Sequence, residues 1–130
     1  MAQPTTIVMA EDEEPLALAV KIRLQSKGYQ VRTAANGQQA LELITQSPPD
    51  LVILDVVMPI MDGYACLREL NSHFGRGALP VIILTARDRM KDLFELEGIE
   101  DYIIKPFGHE DLLMRIERVL KRRAEGGRAV

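Results

Sequence analysis

The chain has 130 residues, 47% of them hydrophobic and 27% charged, with a formal net charge of −3. That length suits one domain whose core needs no disulfide or structural metal, and the small acidic balance argues against a general nucleic-acid binder. A single cysteine, Cys66, excludes an internal disulfide and fits a reducing, cytoplasmic setting, and there is no apolar run long enough for a secretory signal or a membrane span.

In chain order, short apolar runs alternate five times with amphipathic segments. Residues 6–10 (TIVMA) read as the first strand. A helix follows over 15–28, with Leu16, Val20 and Leu24 at helical spacing and Gly28 as a stop signal. In 29–34 (YQVRTA) the apolar Val31 stands between Gln30 and Arg32, the pattern of a strand with one solvated side, which places it at a sheet edge. A second helix starts near Asn36 and ends before Pro48-Pro49. LVIL (51–54) and PVIIL (80–84) are unbroken apolar runs, as expected of central parallel strands covered on both faces. Between them, 63–74 carries Leu67, Leu70 and Phe74 on one helical face. Residues 101–104 (DYII) give a fifth strand. The helix over 109–123 buries a stripe of Leu112, Leu113, Ile116, Val119 and Leu120. The domain is therefore drawn as 1–123, with 124–130 a flexible tail.

Alternating strand and helix implies an α/β fold with a doubly wound parallel sheet. Five strands with an edge-like second strand favour the flavodoxin-like order 2-1-3-4-5, whose ligands bind beyond the carboxyl ends of the strands, at the switch point between strands one and three. That rim collects residues scattered in sequence. Strand one runs into Glu11-Asp12, strand three ends in Asp55, strand four in Thr85, and strand five leads into Lys105-Pro106-Phe107.

Each of these residues has an ordinary reading by itself. A strand-end carboxylate is often a turn or cap residue. Glu11 to Glu14 suit a helix N-terminus, Thr85 a helix cap, Lys105 the surface and Tyr102 an edge strand. Together they have a chemical logic. Carboxylates from Asp12 and Asp55, with Glu11 beside them, repel one another unless a cation intervenes. Mg2+ is the natural one, because it takes one or two carboxylates and keeps several waters. An ammonium and a hydroxyl opposite such an ion complete a pocket for a tetrahedral phosphoryl group, with Asp55 as the attacking nucleophile.

The four motifs IVMAEDEEP, LVILDVVMPIMDG, VIILTA and DYIIKPF, in this order and at these strand ends, resemble the receiver domain of two-component response regulators, the family that includes the chemotaxis regulator. The resemblance covers about residues 5–122. It implies that Asp55 accepts a phosphoryl group from a phosphohistidine on a sensor histidine kinase or phosphotransfer protein. It implies Mg2+ bound by Asp12, Glu11, Asp55 and the backbone carbonyl of Val57. Lys105 would contact the phosphoryl oxygen, Thr85 would move toward it, and Tyr102 would swing inward as a switch. A cis peptide is expected before Pro106. The output would be altered affinity for a protein target, by a stand-alone regulator that turns over no substrate, touches no nucleic acid directly and inserts in no membrane.

The sequence departs from the family pattern in places. The acidic pair is Glu-Asp, and the segment from Thr85 to Lys105 leaves room for a fourth helix of only two to three turns, roughly 89–97. Val57 and Arg87 flank the mouth of the site. Val57 cannot orient an attacking water by hydrogen bonding, so autodephosphorylation is expected to be slow. Two other readings compete: a phosphorylation-independent interaction module on the same fold, and an aspartate-nucleophile phosphohydrolase. The intact set of Asp12, Asp55, Thr85 and Lys105 speaks against the first, and the absence of a second acid at Val57 against the second.

Overall fold

The structure, a computed structural model, describes residues 3–86 and 90–126. Five strands, β1 (Thr6–Ala10), β2 (Gln30–Ala34), β3 (Leu51–Asp55), β4 (Val81–Thr85) and β5 (Asp101–Ile104), form one parallel sheet in the order β2-β1-β3-β4-β5. Five helices connect and follow them: α1 (Glu14–Ser26), α2 (Gly37–Gln46), α3 (Gly63–Phe74), α4 (Lys91–Leu96) and α5 (His109–Ala124). The order is the one expected from the edge character of residues 29–34. β2 shows the expected pattern around Val31, which is buried between exposed Gln30 and half-buried Arg32, whereas every residue of β3 and β4 is buried.

Strand side chains alternate between two helical layers, because successive residues of a strand point to opposite faces. Val8, Val52, Leu54 and Ile83 pack with Ala40 and Ile44 of α2, Cys66, Leu67 and Leu70 of α3, and Phe94 of α4. Ile7, Met9, Ile53, Ile82 and Ile103 pack on the other side with Val20 and Leu24 of α1 and Leu112, Ile116 and Val119 of α5. Leu16, Leu113 and Leu120, assigned to the buried stripes from their spacing, lie at the margin of this second cluster and are only partly buried.

The helix ends differ most from the sequence reading. α1 ends at Ser26, and Gly28, with φ +95, reverses the chain after it. α4 has six residues, under two turns, and is shorter than the expected 89–97; Arg89 lies outside the described residues. α5 continues through Ala124, and residues 127–130 of the expected tail lie outside the described residues.

Candidate functional site

The site is built where β1, β3, β4 and β5 end. The Glu11 amide donates to the Ala34 carbonyl at 3.0 Å, which carries the β1–β2 pairing one residue past the strand. The Glu11 side chain is buried there, only 2% exposed as a residue, and its Oε2 accepts the Glu13 amide at 3.2 Å. Asp55 closes β3 and is 5% exposed. Its Oδ1 accepts the Val56 amide at 2.8 Å. Lys105 follows β5, and its amide donates to the Thr85 carbonyl at 2.7 Å. Its Nζ donates to Glu11 Oε1 at 2.7 Å and to Asp55 Oδ2 at 3.2 Å, so one ammonium serves two buried carboxylates. Asp12 is exposed and completes the acidic group: one oxygen from each of Glu11, Asp12 and Asp55 lies within 4.8 Å of the others.

The electrostatics follow from this geometry. Burial pushes the Glu11 carboxyl up from 4.5 to about 7; the Lys105 hydrogen bond opposes that and the charge of Asp55 adds to it. Burial pulls the Lys105 ammonium down, but the hydrogen bond to Glu11 and the charge of Asp55 outweigh it and hold Lys105 above its usual value. Three hard oxygen donors, two of them sharing one ammonium, suit a small divalent cation, so Glu11, Asp12 and Asp55 are the residues that could hold one.

Backbone contacts fix the loop after Asp55. The Gly63 amide donates to the Val56 carbonyl at 2.8 Å, and the Gly37 amide to the Met61 carbonyl at 2.9 Å. A Cβ on Gly63 would stand 2.1 Å from the Asp55 carbonyl oxygen, and one on Gly37 would stand 2.4 Å from that of Met61. Only glycine permits either approach. The Asp62 side chain accepts the Ala65 amide at 2.8 Å and caps α3. At the outer edge Val57 is 54% exposed and Ile60 83%, the latter at φ 69, a left-handed conformation unusual for a β-branched residue.

The other expected residues lie on the neighbouring strands β4 and β5. Thr85 is fully buried at the end of β4. Tyr102 of β5, in register with Ile83 of β4, has its ring inside, 8% exposed and 5.9 Å from the Phe94 ring. The Lys105–Pro106 peptide is cis. A depression of about 400 Å³ opens beside Lys105, bounded by Glu13, Leu16, Ala86, Phe107 and His109. Arg87 lies outside the described residues. Sequence reasoning missed the structural part played by Gly37 and Gly63. The Asp62-Gly63 pair, just ahead of an amphipathic run, was the available signal.

A doubly wound α/β domain with three carboxylates and a lysine at the carboxyl edge of its sheet is a defined class of protein. Residues 7–117 match the family model of the response regulator receiver domain, and the chain belongs to that family. It is 36% identical over 122 residues to a probable transcriptional regulatory protein, TcrX, of Mycobacterium tuberculosis, a match covering 92% of this chain and 51% of that protein. The chain thus spans about half the length of the curated relatives it matches. A CheY-like receiver domain from Methanospirillum hungatei JF-1 superposes with a TM-score of 0.88 at 26% identity, covering 96% of this chain and all of that one. The response regulator TrrA from Thermotoga maritima, solved in complex with Mg2+ and BeF, superposes with a TM-score of 0.79 at 29% identity, covering 88% and 98%. Among the described residues no helix is long and apolar enough to cross a membrane.

Proposed function

We propose that this receiver is a phosphorylation switch in which Asp55 takes a phosphoryl group from the phosphohistidine of a sensor kinase or phosphotransfer protein. The observation that carries the reading is the Lys105 ammonium held at 2.7 Å by Glu11 and at 3.2 Å by Asp55. A cation in that position can leave Glu11 for an incoming phosphoryl oxygen while still touching the nucleophile. An Asp55 carboxylate oxygen forms a bond to phosphorus, the phosphorus–nitrogen bond of the donor breaks, and its electron pair stays on the imidazole.

Glu11, Asp12, Asp55 and the Val57 carbonyl would hold Mg2+, and the Mg2+ complex of the similar TrrA supports that choice. When bound, the ion supplies charge neutralisation on the transferring phosphoryl group. Thr85 then donates its hydroxyl to a phosphoryl oxygen, and the position of Tyr102 reports the change to a protein target, shifting an equilibrium the fold already has. The setting is cytoplasmic, and the contacts this domain makes are with proteins.

The test is incubation with Mg2+ and a small phosphodonor followed by intact-mass measurement. A single phosphoryl adduct on the wild type, absent from Asp55→Asn, is the expected result. A folded wild type that takes up no phosphoryl group favours the phosphorylation-independent module, and continuous release of phosphate favours a hydrolase.

A further inference from the structure

The loop between α3 and β4, residues 75–80, is held from two sides. On one side Arg76 donates its Nε to the Leu96 carbonyl at 2.8 Å and its Nη2 to that of Glu95 at 3.5 Å. It thereby satisfies carbonyls at the end of α4 that a helix leaves without internal partners. The turn after α4 lies against the same loop: a Cβ on Gly98 would stand 3.1 Å from Arg76 Cγ and 3.4 Å from the Gly77 nitrogen. On the other side Arg123, in the last turn of α5, donates to the carbonyls of Gly77 at 2.7 Å and Ala78 at 3.2 Å while it pairs with Glu100 at 3.1 Å. The consecutive residues Arg76, Gly77 and Ala78 thus tie α4 to α5 at the edge of the sheet opposite the carboxylates.

The loop is a fixed body rather than slack. The Ala78 amide donates back to the Gly75 carbonyl at 3.1 Å, and the Gly75 amide to the Asn71 carbonyl at 2.8 Å. Gly75 and Gly77 take left-handed φ values of 100 and 72, which glycine adopts without strain. A displacement at the Arg76 end is therefore not absorbed before it reaches the carbonyls that hold Arg123. Packed and hydrogen-bonded chains of this kind carry energetic coupling between elements, and the evidence for it is a measured coupling.

We propose that the 75–80 loop couples α4 to the last turn of α5, so that a shift of α4 changes how firmly that turn is held. The coupling is reciprocal and exists in the unphosphorylated chain. Its use in signalling rests on the switch reading of Asp55. The Phe94 ring of α4 lies 5.9 Å from that of Tyr102, so a change in the position of Tyr102 bears on α4 and, through the loop, on the end of α5.

The test is amide exchange of the unphosphorylated chain, followed by NMR in α4, in the last turn of α5 and in α2 as the control. Arg123→Lys keeps a cation for Glu100 but loses the fork that reaches both loop carbonyls. It is expected to speed exchange in α4 about fivefold, the worth of one net hydrogen bond, with α2 unchanged. Arg76→Met, at an exposed position, is expected to do the same in the last turn of α5. In the Arg76→Met background the effect of Arg123→Lys on α4 should vanish, because the loop is already cut. An Arg123→Lys chain whose α4 exchanges at the wild-type rate overturns the proposal. So does an effect that persists without Arg76, which would travel through Glu100 and β5 instead, or one that is equal in α2, which would be a loss of global stability. None of these outcomes bears on phosphoryl uptake by Asp55, which the adduct measurement decides.

Discussion

At Glu11 a buried carboxylate lies beside Asp55 with a single ammonium to serve both. Because burial raises the Glu11 pKa from 4.5 to about 7, the folded protein binds that proton more tightly than the unfolded chain does. The unfolded state then holds fewer protons across this window, so stability falls as pH rises from 4.5 toward about 7. Metal-free protein is expected to lose thermal stability over that range. Glu11→Gln should flatten the dependence, and Mg2+ added above pH 7 should recover part of the loss; a metal-free melting temperature that does not fall over the window would assign the proton elsewhere. Val57 makes a second prediction at this scale. Its exposed, apolar side chain offers an attacking water no hydrogen bond, so the aspartyl phosphate should outlast that of Val57→Asn when followed by intact mass. A wild-type adduct lost within seconds would contradict this. The site residues were legible because each follows an apolar run, and strand ends in a parallel sheet share one rim. Two features were not: Lys105 is nearer to Glu11 than to Asp55, and Gly63 lies against the Asp55 carbonyl. Both depend on distances across the fold that no local pattern encodes.

At the scale of the element, α4 is the weakest helix. Six residues are too few to be stable alone. It is held by Phe94, fully buried between the Tyr64 ring at 5.4 Å and the Tyr102 ring at 5.9 Å, and by side chains of and just after α3. Asn71 Nδ2 donates to the Glu97 carbonyl at 2.7 Å, Arg76 Nε to the Leu96 carbonyl at 2.8 Å, and the Tyr64 hydroxyl to Glu97 Oε2 at 3.3 Å. Phe94→Ala is expected to cost about 3–5 kcal/mol in urea unfolding. Amide exchange should speed up in α4 more than in α2, since α4 has few other buried contacts. The same facts explain why α3 was read to the residue and α4 was not. α3 begins at a capping Asp62 and ends at Gly75, signals that are local. α4 begins at Met90 with no side-chain cap, and its far end is satisfied by side chains more than 18 residues earlier, a tertiary contact invisible to periodicity.

For the molecule as a whole, the sheet order was readable from one edge strand and two central ones, because burial on one face or both leaves different patterns in sequence. What ties the last helix to the sheet was not readable. The Glu100 carboxylate, fully buried just before β5, pairs with Arg122 and with Arg123 at 3.1 Å; Arg123 also donates to the carbonyls of Gly77 at 2.7 Å and Ala78 at 3.2 Å. Glu100→Ala should destabilise toward the lower end of the ~3–5 kcal/mol that follows loss of one partner from a buried pair, because Arg122 remains half in water. Denaturant unfolding measures it, and a change under about 0.5 kcal/mol would make the pair ornamental. The contacts of Lys105 reach further still, spanning 94 residues of sequence to Glu11 and 50 to Asp55. No fragment or half-closed sheet can assemble that trio. If Asp55 takes up a phosphoryl group as proposed, that capacity is therefore a certificate of complete folding, and an upstream donor would load only finished molecules.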